Sequence, residues 1–188
     1  MANKVKFGLS DCHYAVYDET AKTYGTPVAM PGSVNLSLDQ EGDTNKFRAD
    51  NIDYYVSISN NGYSGDLELA LIPDSFRTDV MGEIVDATSG LQYEVADATP
   101  KAFALLFQFD GDEHATRHIL YYCKATRPSI ASQTTEETIE PVTETISLTV
   151  TSVIKTIGGV EKPLTKARCN PTDAAYANFF TAVQLPTP

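Results

Sequence analysis

"KAFALLFQFDGDEHATRHILYYCKA", residues 101–125, decides the fold class. Its first half is apolar at successive positions up to Gln108, with Phe103, Leu105, Phe107 and Phe109 alternating with Ala104 and Leu106. A strand sends successive side chains to opposite faces, so both faces of this one need cover, and that predicts a central strand. "DGDEHAT" then supplies turn residues, and "RHILYYCKA" is the expected antiparallel hairpin partner.

The same period of two recurs on either side. "CHYAVYD" sets Cys12, Tyr14 and Val16 on one face; "YYVSIS" sets Tyr54, Val56 and Ile58 against Tyr55, Ser57 and Ser59. "DLELALI" sets Leu67, Leu69 and Leu71 against Glu68 and Ala70, and "ETISLTV" turns Ile146, Leu148 and Val150 inward. Each predicts a strand with one buried face. "SVNLSLDQEGDTNKFRADN", residues 33–51, alternates at Val34, Leu36 and Leu38 and then becomes polar. "DQEGD" carries residues that a reversing chain prefers, so a hairpin with a polar tip from Asp39 to Lys46 is expected. "NNGYSGD", with Gly62 and Gly65, reads as a turn between the Tyr55 and Leu69 strands.

Two segments have helical signals instead. "PDSFRTDVMG" starts at Pro73–Asp74, spaces Phe76 and Val80 by four, and offers Gly82 as a stop. "TDAAYANFFTAVQLP" has Thr172 or Asp173 as caps and a stripe of Tyr176, Phe179, Phe180 and Val183 before Pro186, expected to pack on the sheet as core. The fold expected is mainly β: an antiparallel β-sandwich or barrel with one or two short flanking helices and a long protruding hairpin. At 188 residues it suits one domain, 1–188, in which 151–188 is a C-terminal extension with a terminal helix.

Composition narrows the function. Charged residues at 21%, hydrophobic ones at 42%, 10 Tyr, 8 Phe and no Trp suit a folded, strand-rich chain. No apolar run of membrane-spanning length occurs, and "MANKVKFGLSDCH" lacks a signal-peptide core, so a cytoplasmic site of synthesis is expected. The net charge is −11, with Asp79, Glu83, Asp86, Glu94 and Asp97 unopposed between Arg77 and Lys101, and Glu136, Glu137, Glu140 and Glu144 unopposed from Ser129 to Val153. Nucleic-acid binding needs Lys and Arg to displace counterions from phosphate, so this distribution argues against it. Acidic loops that keep the protein soluble explain the charge by themselves.

Catalytic and metal signals are weak. Cys12, Cys123 and Cys169 show neither paired nor zinc-like spacing and read as free, buried thiols. His114 and His118 lie four apart but lead into a strand and lack the Glu of a zinc-protease helix. "DGDEH" lacks the later ligands of a calcium loop, and the Gly62/Gly65 spacing matches no phosphate loop. No nucleophile–base arrangement is recognisable, so neither a catalytic role nor a cofactor or metal is expected.

The stretch "PGSVNLSLDQEGDTNKFRADNIDYYVSISNNGYSGDLELALIPDSFRTDVMGE", continued by "KAFALLFQFDGDEHATRHILYYCKATRPSI" and "ETISLTV", resembles the major tail proteins of long-tailed bacteriophages and prophages of Gram-positive bacteria. The phrases "GYSGDLELALIPDSF" and "DGDEHATRHILYYCKATRPS" carry most of the likeness, which spans positions 4–150 and loosens beyond Val150. It implies a tail-tube protomer that forms hexameric rings, stacked around a tape measure protein and bounded by tail terminator and distal tail or baseplate proteins. Phage DNA later passes through without specific binding. The implied location is the virion tail, assembled in the host cytoplasm, with no membrane insertion by this chain.

In such tubes the inner sheets of neighbouring subunits join around the lumen, while a long hairpin and the termini reach the next ring. That makes Leu38, Asp39, Gln40, Glu41, Gly42, Asp43, Thr44, Asn45 and Lys46 the candidate ring-stacking hairpin. An acidic lumen would repel DNA in passage, and Glu68, Asp110, Asp112 and Glu144 are its candidates. Two other classes stay open: a carbohydrate-binding or adhesion module using the Tyr-rich surface and Asp-rich loops, and a hydrolase using His114 or His118 with a nearby acid.

Overall fold

A computed structural model describes residues 7–110, 115–132, 134 and 142–186. In chain order the strands are β1 Leu9–Asp18, β2 Thr23–Tyr24, β3 Val28–Ala29, β4 Ser33–Glu41, β5 Thr44–Ala49, β6 Ile52–Ile58 and β7 Gly62–Leu69. After the helical turn α1, Asp74–Phe76, come β8 Ile84–Val85, β9 Gln92–Tyr93, β10 Phe103–Phe109, β11 Arg117–Ala125, β12 Glu144–Thr151, β13 Val153–Ile157, β14 Val160–Leu164 and β15 Lys166–Cys169. The fold is mainly β and antiparallel.

One nine-stranded sheet runs β2-β1-β10-β11-β12-β7-β4, with β3 added to β1 and β15 to β11. The expected β10–β11 hairpin forms, and β10 is central, between β1 and β11. Its residues Phe103 to Leu106 are all fully buried, which is what unbroken apolar character on both faces requires. The other edge of β11 is shared: Tyr122–Ala125 pair with β12, and Arg117–Leu120 pair with β15. At this split the sheet opens.

The sheet curls until its two ends meet on one core. Cys12 and Tyr14 of β1 share a buried cluster with Leu67 and Leu69 of β7, Ile146, Leu148 and Val150 of β12, and Phe103, Leu105 and Phe107 of β10. Phe76, Val80 and Met81 close that core from the helical segment, with Phe76 edge-on to both Tyr14 and Phe103. Burying each such side chain stabilises by roughly 1.5–3 kcal/mol. The segment starts at Pro73, continues through Arg77–Met81 with wider, five-residue bonding, and stops at Gly82, whose φ of 79° suits a residue without Cβ. Leu71, expected inward, is exposed; the strand ends at Leu69 and Ile72 enters the core in its place.

A second cluster covers the opposite face of β1, β10 and β11: Ala15, Ala104, Leu106, Ile119 and Tyr121 meet Val153, Cys169 and Phe179. The expected terminal helix over 172–185 is absent. Residues 170–182 form successive three-residue turns, Asp173 N–H to Asn170 O, Tyr176 N–H to Asp173 O and Phe179 N–H to Tyr176 O. One side chain within the segment and two from β11 hold these turns. The Asp173 carboxylate accepts from the Asn170 amide at 2.7 Å, the Arg117 guanidinium donates to the Tyr176 carbonyl, and the Tyr121 hydroxyl donates to the Gln184 carbonyl at 2.9 Å. A continuous helix would need the Tyr176 carbonyl for its own ladder. The apolar stripe still packs as expected, with Phe179 buried and Tyr176, Phe180 and Val183 against the same cluster.

Candidate functional site

The long hairpin is longer than the sequence suggests, and its tip lies elsewhere. The chain does not reverse at 39–43. β4 pairs with β7 from Ser33↔Leu69 to Glu41↔Gly62, and the ladder continues outward as β5 paired with β6, from Thr44↔Ile58 to Ala49↔Ile52. The joint between the two halves is bridged by Asn61 N–H to Glu41 O at 2.9 Å and Ser59 N–H to Asp43 O at 3.0 Å. "NNGYSGD" is therefore no reversal either; it is the return leg crossing that joint. Reversal occurs only at Asp50–Asn51, whose φ values of 51° and 60° are those of a two-residue turn matched to strand twist.

Gly42 marks a close approach of two strands and not a turn, since a Cβ there would stand 2.1 Å from the Ser59 carbonyl oxygen. At Gly62 the corresponding distance is 1.9 Å, to the Val150 carbonyl oxygen. Of the candidate stacking residues, Leu38, Asp39, Gln40 and Glu41 lie on β4 at the foot of this arm. Gly42 and Asp43 form the joint, and Thr44, Asn45 and Lys46 begin the outer ribbon.

The outer ribbon carries the large apolar residues that sequence reasoning had placed in the core or passed over. Phe47, Ile52, Tyr54, Tyr55 and Ile58 are between 61% and 73% exposed, and Val56 is 47% exposed. Strand alternation and the Phe47↔Tyr55 pair put Phe47 and Tyr55 on one face, and Val56 and Ile58 on the other. Asp53 accepts ion pairs from Lys46 at 3.0 Å and Arg48 at 3.3 Å, holding the two strands near the tip. A signal for this element was in the sequence: an Asp-Asn pair flanked by alternating apolar residues, "KFRADNIDYYV".

At the foot of the arm, where the curled sheet opens, lies a groove of about 270 Å³ lined by Leu36, Leu38, Tyr63, Phe107, Phe109 and Lys166, with His118 beside them. The Lys166 ammonium sits 4.8 Å from the Tyr63 ring centroid, an attractive cation–π distance. His118 is half-buried and stacks on Phe107 at 5.4 Å. His114 lies outside the described residues.

The acidic candidates are scattered. Glu144 accepts two hydrogen bonds from Arg77, at 2.9 and 3.0 Å, and one from the Ile72 amide at 2.7 Å, so its carboxylate fastens the helical segment to β12. Glu68 accepts from the Thr143 hydroxyl on the outer face of β7, and Asp110 accepts from the Ser10 hydroxyl at the end of β10. Asp112, with Glu136, Glu137 and Glu140, lies outside the described residues. Burial pushes the thiols of Cys12 and Cys123 up to about 11 and about 12, and raises Cys169, so all three are protonated near neutrality. Among the described residues, no group of three or more His, Cys, Asp or Glu is placed to hold a metal ion, and no helix is long and apolar enough to cross a membrane.

What this geometry offers is a contact surface: a long ribbon, apolar on both faces, whose foot borders an apolar groove. The chain matches no protein-family model, and no curated protein is significantly similar to it.

Proposed function

We propose that this chain is a structural virion protein, the protomer of a tail tube of the kind built by long-tailed phages. It self-assembles into hexameric rings that stack into a hollow conduit for the genome. The observation that carries the reading is the outer ribbon of β5 and β6, with six large apolar side chains exposed on an element that makes no core of its own. Soluble monomers rarely leave such a patch open, and a two-stranded ribbon is marginal in water without cover. The resemblance over positions 4–150 and the antiparallel, strongly curved sheet support the same reading.

On this reading the chain carries out no chemistry of its own. Its partners are further copies of itself, a tape measure protein inside the tube, and terminator and distal tail proteins at the two ends. It works in the virion tail after assembly in the host cytoplasm. Negative-stain electron microscopy and sedimentation velocity of the purified chain, dilute and then concentrated, test it. Rings or tubes of uniform diameter are expected. A chain that stays monomeric at millimolar concentration, and also fails to form tubes with its tape measure protein, overturns the reading.

A further inference from the structure

We infer that Asn61 is a site of spontaneous covalent modification, at which the Gly62 nitrogen closes a succinimide on the Asn61 side chain, and that the Asn60 side-chain oxygen restrains this reaction in the folded chain. The chemistry stands apart from the tube reading; only its effect on assembly rests on it.

The reaction needs no enzyme. Once its proton is lost, the main-chain nitrogen of the following residue attacks the asparagine Cγ, a C–N bond forms, and the side-chain amide takes up the proton and leaves as ammonia. Water then opens the ring at one carbonyl or the other, giving aspartate or isoaspartate. A side chain on the following residue obstructs the nitrogen's approach, and glycine does not. Asn61-Gly62 is the one Asn-Gly pair of the sequence; every other asparagine precedes a residue with a side chain, and Asn170 precedes Pro171, which has no N–H to give up.

The fold holds this pair in place. Gly62 is buried with a φ of 107°, and a Cβ on it would stand 1.9 Å from the Val150 carbonyl oxygen, so the approach of β12 admits only glycine there. The close strand contact thus keeps the reactive neighbour. Asn61 itself is exposed to water, lies between β6 and β7, and its side chain makes no hydrogen bond among the described residues.

Asn60 opposes the reaction. Its Oδ1 accepts from the Gly62 N–H at 3.2 Å, which holds the proton that the attacking nitrogen must lose. The Asn61 N–H donates to the Glu41 carbonyl at 2.9 Å and fixes the main chain on the other side. If the restraint fails, isoaspartate is the damaging product. It routes the main chain through the former side-chain carbons and adds a methylene between residues 61 and 62, at a joint too tight for a Cβ on Gly42 or Gly62. The outer ribbon then loses its alignment with β4 and β7, and on the tube reading such a copy assembles poorly.

The experiment ages the purified full chain at mildly alkaline pH and follows each asparagine by peptide mapping, with isoaspartyl methyltransferase labelling to mark the isomer. Loss of amide at Asn61 ahead of every other asparagine is expected; another asparagine reacting first in the folded chain overturns the inference. Asn60→Ala, its fold verified by circular dichroism, should speed the reaction at Asn61 by roughly two- to tenfold, the factor that loss of one hydrogen bond gives. Asn60→Asp, which keeps an acceptor oxygen, should be no faster than the parent. In urea the parent and Asn60→Ala should react alike, because the restraining bond exists only in the fold. Equal rates for the folded parent and the folded Asn60→Ala chain overturn the inference. In a preparation that assembles, isoaspartate should collect in the unassembled fraction, and an equal share in the tubes would overturn its effect on the arm. A chain that never assembles overturns the tube reading and leaves the rates at Asn61 decisive.

Discussion

Glu144 shows how a residue that resembles a surface charge can belong to the fold. Its carboxylate accepts from Arg77 twice and from the Ile72 amide, with Arg77 also 3.7 Å from Glu83, and the Arg77 and Glu144 side chains are 22% and 27% exposed. Charge-assisted hydrogen bonds of this kind are worth about 1.5–3 kcal/mol each when partly shielded. Glu144→Ala is therefore expected to lower stability by roughly 2 kcal/mol, and Glu144→Gln by less because one oxygen still accepts from Ile72. Urea unfolding of the three proteins measures the order. Equal midpoints would mean that this network does not hold the helical segment.

The buried protonated groups set the response to alkali. Burial raises Cys12 from 9.0 to about 11, Cys123 from 9.0 to about 12, and Tyr14 from 10.0 to about 12. A group with its proton held more tightly in the folded state contributes fully below its ordinary value, and that contribution is lost as pH rises toward the folded value. The urea midpoint should hence be flat near neutrality and fall from pH 9.0 upward. With Cys12, Cys123 and Cys169 all replaced by Ala, the onset should move toward pH 10.0, where Tyr14 and the other tyrosines raised by burial begin to count. An unchanged onset would assign the alkaline transition to other groups.

Among elements, the arm is where the tube reading separates folding from assembly most cleanly. Its outer ribbon adds nothing to either buried cluster, whereas its foot supplies Leu36 and Leu38 to the first. Replacing Thr44–Ile58 by Asn-Gly, joined to Asp43 and Ser59 where the ladder is already bridged, should leave the thermal midpoint of the sheet within a few degrees of the parent, roughly the effect of 1 kcal/mol. Assembly should disappear. Normal tubes from this variant would reduce the ribbon to decoration, and a collapsed midpoint would make it part of the core.

The arm and the C-terminal segment also show where sequence reading reaches and where it stops. Alternation located β1, β4, β7 and β12, because a buried face enforces period two, while an apolar run on both faces located β10 and the turn after it located β11 as its partner. It assigned Tyr54, Val56 and Ile58 to the core because an apolar stripe looks the same whether its cover is its own chain or another copy. Gly42 read as a turn because a close strand approach and a reversal both select glycine. The helix expected at 172–185 had the right stripe, and Phe179 is indeed core, but the bonds from Arg117 and Tyr121 that hold those residues as turns come from distant sequence. The groove was illegible for the same reason: β4, β7, β10, β11 and β15 meet there only after the sheet curls.

For the whole molecule the placement of charge matters more than its total. The outer faces of β4, β7 and β12 carry Asn35, Ser37, Asp39, Glu41, Ser64, Asp66, Glu68, Thr145, Ser147 and Thr149, a polar surface with four carboxylates and no cation. Three neighbouring strands thus form one acidic wall, of which the earlier lumen candidate Glu68 is a part; Asp110 lies off it and Glu144 is engaged by Arg77. If the chain builds a tube, this is the face suited to the channel, because fixed carboxylates repel phosphates and hydroxyls between them offer no apolar hold. The double change Asp66→Lys with Glu68→Lys alters one exposed and one half-buried position, whose side-chain hydrogen bonds among the described residues go to Ser147 and Thr143, so folding and tube formation should persist. Genome delivery should slow or stall, and added salt should ease the defect, since screening over about 10 Å at 0.1 M weakens attraction to phosphate. Assembled tubes that deliver DNA normally with both lysines present would separate the acidic wall from the channel while leaving the tube itself intact.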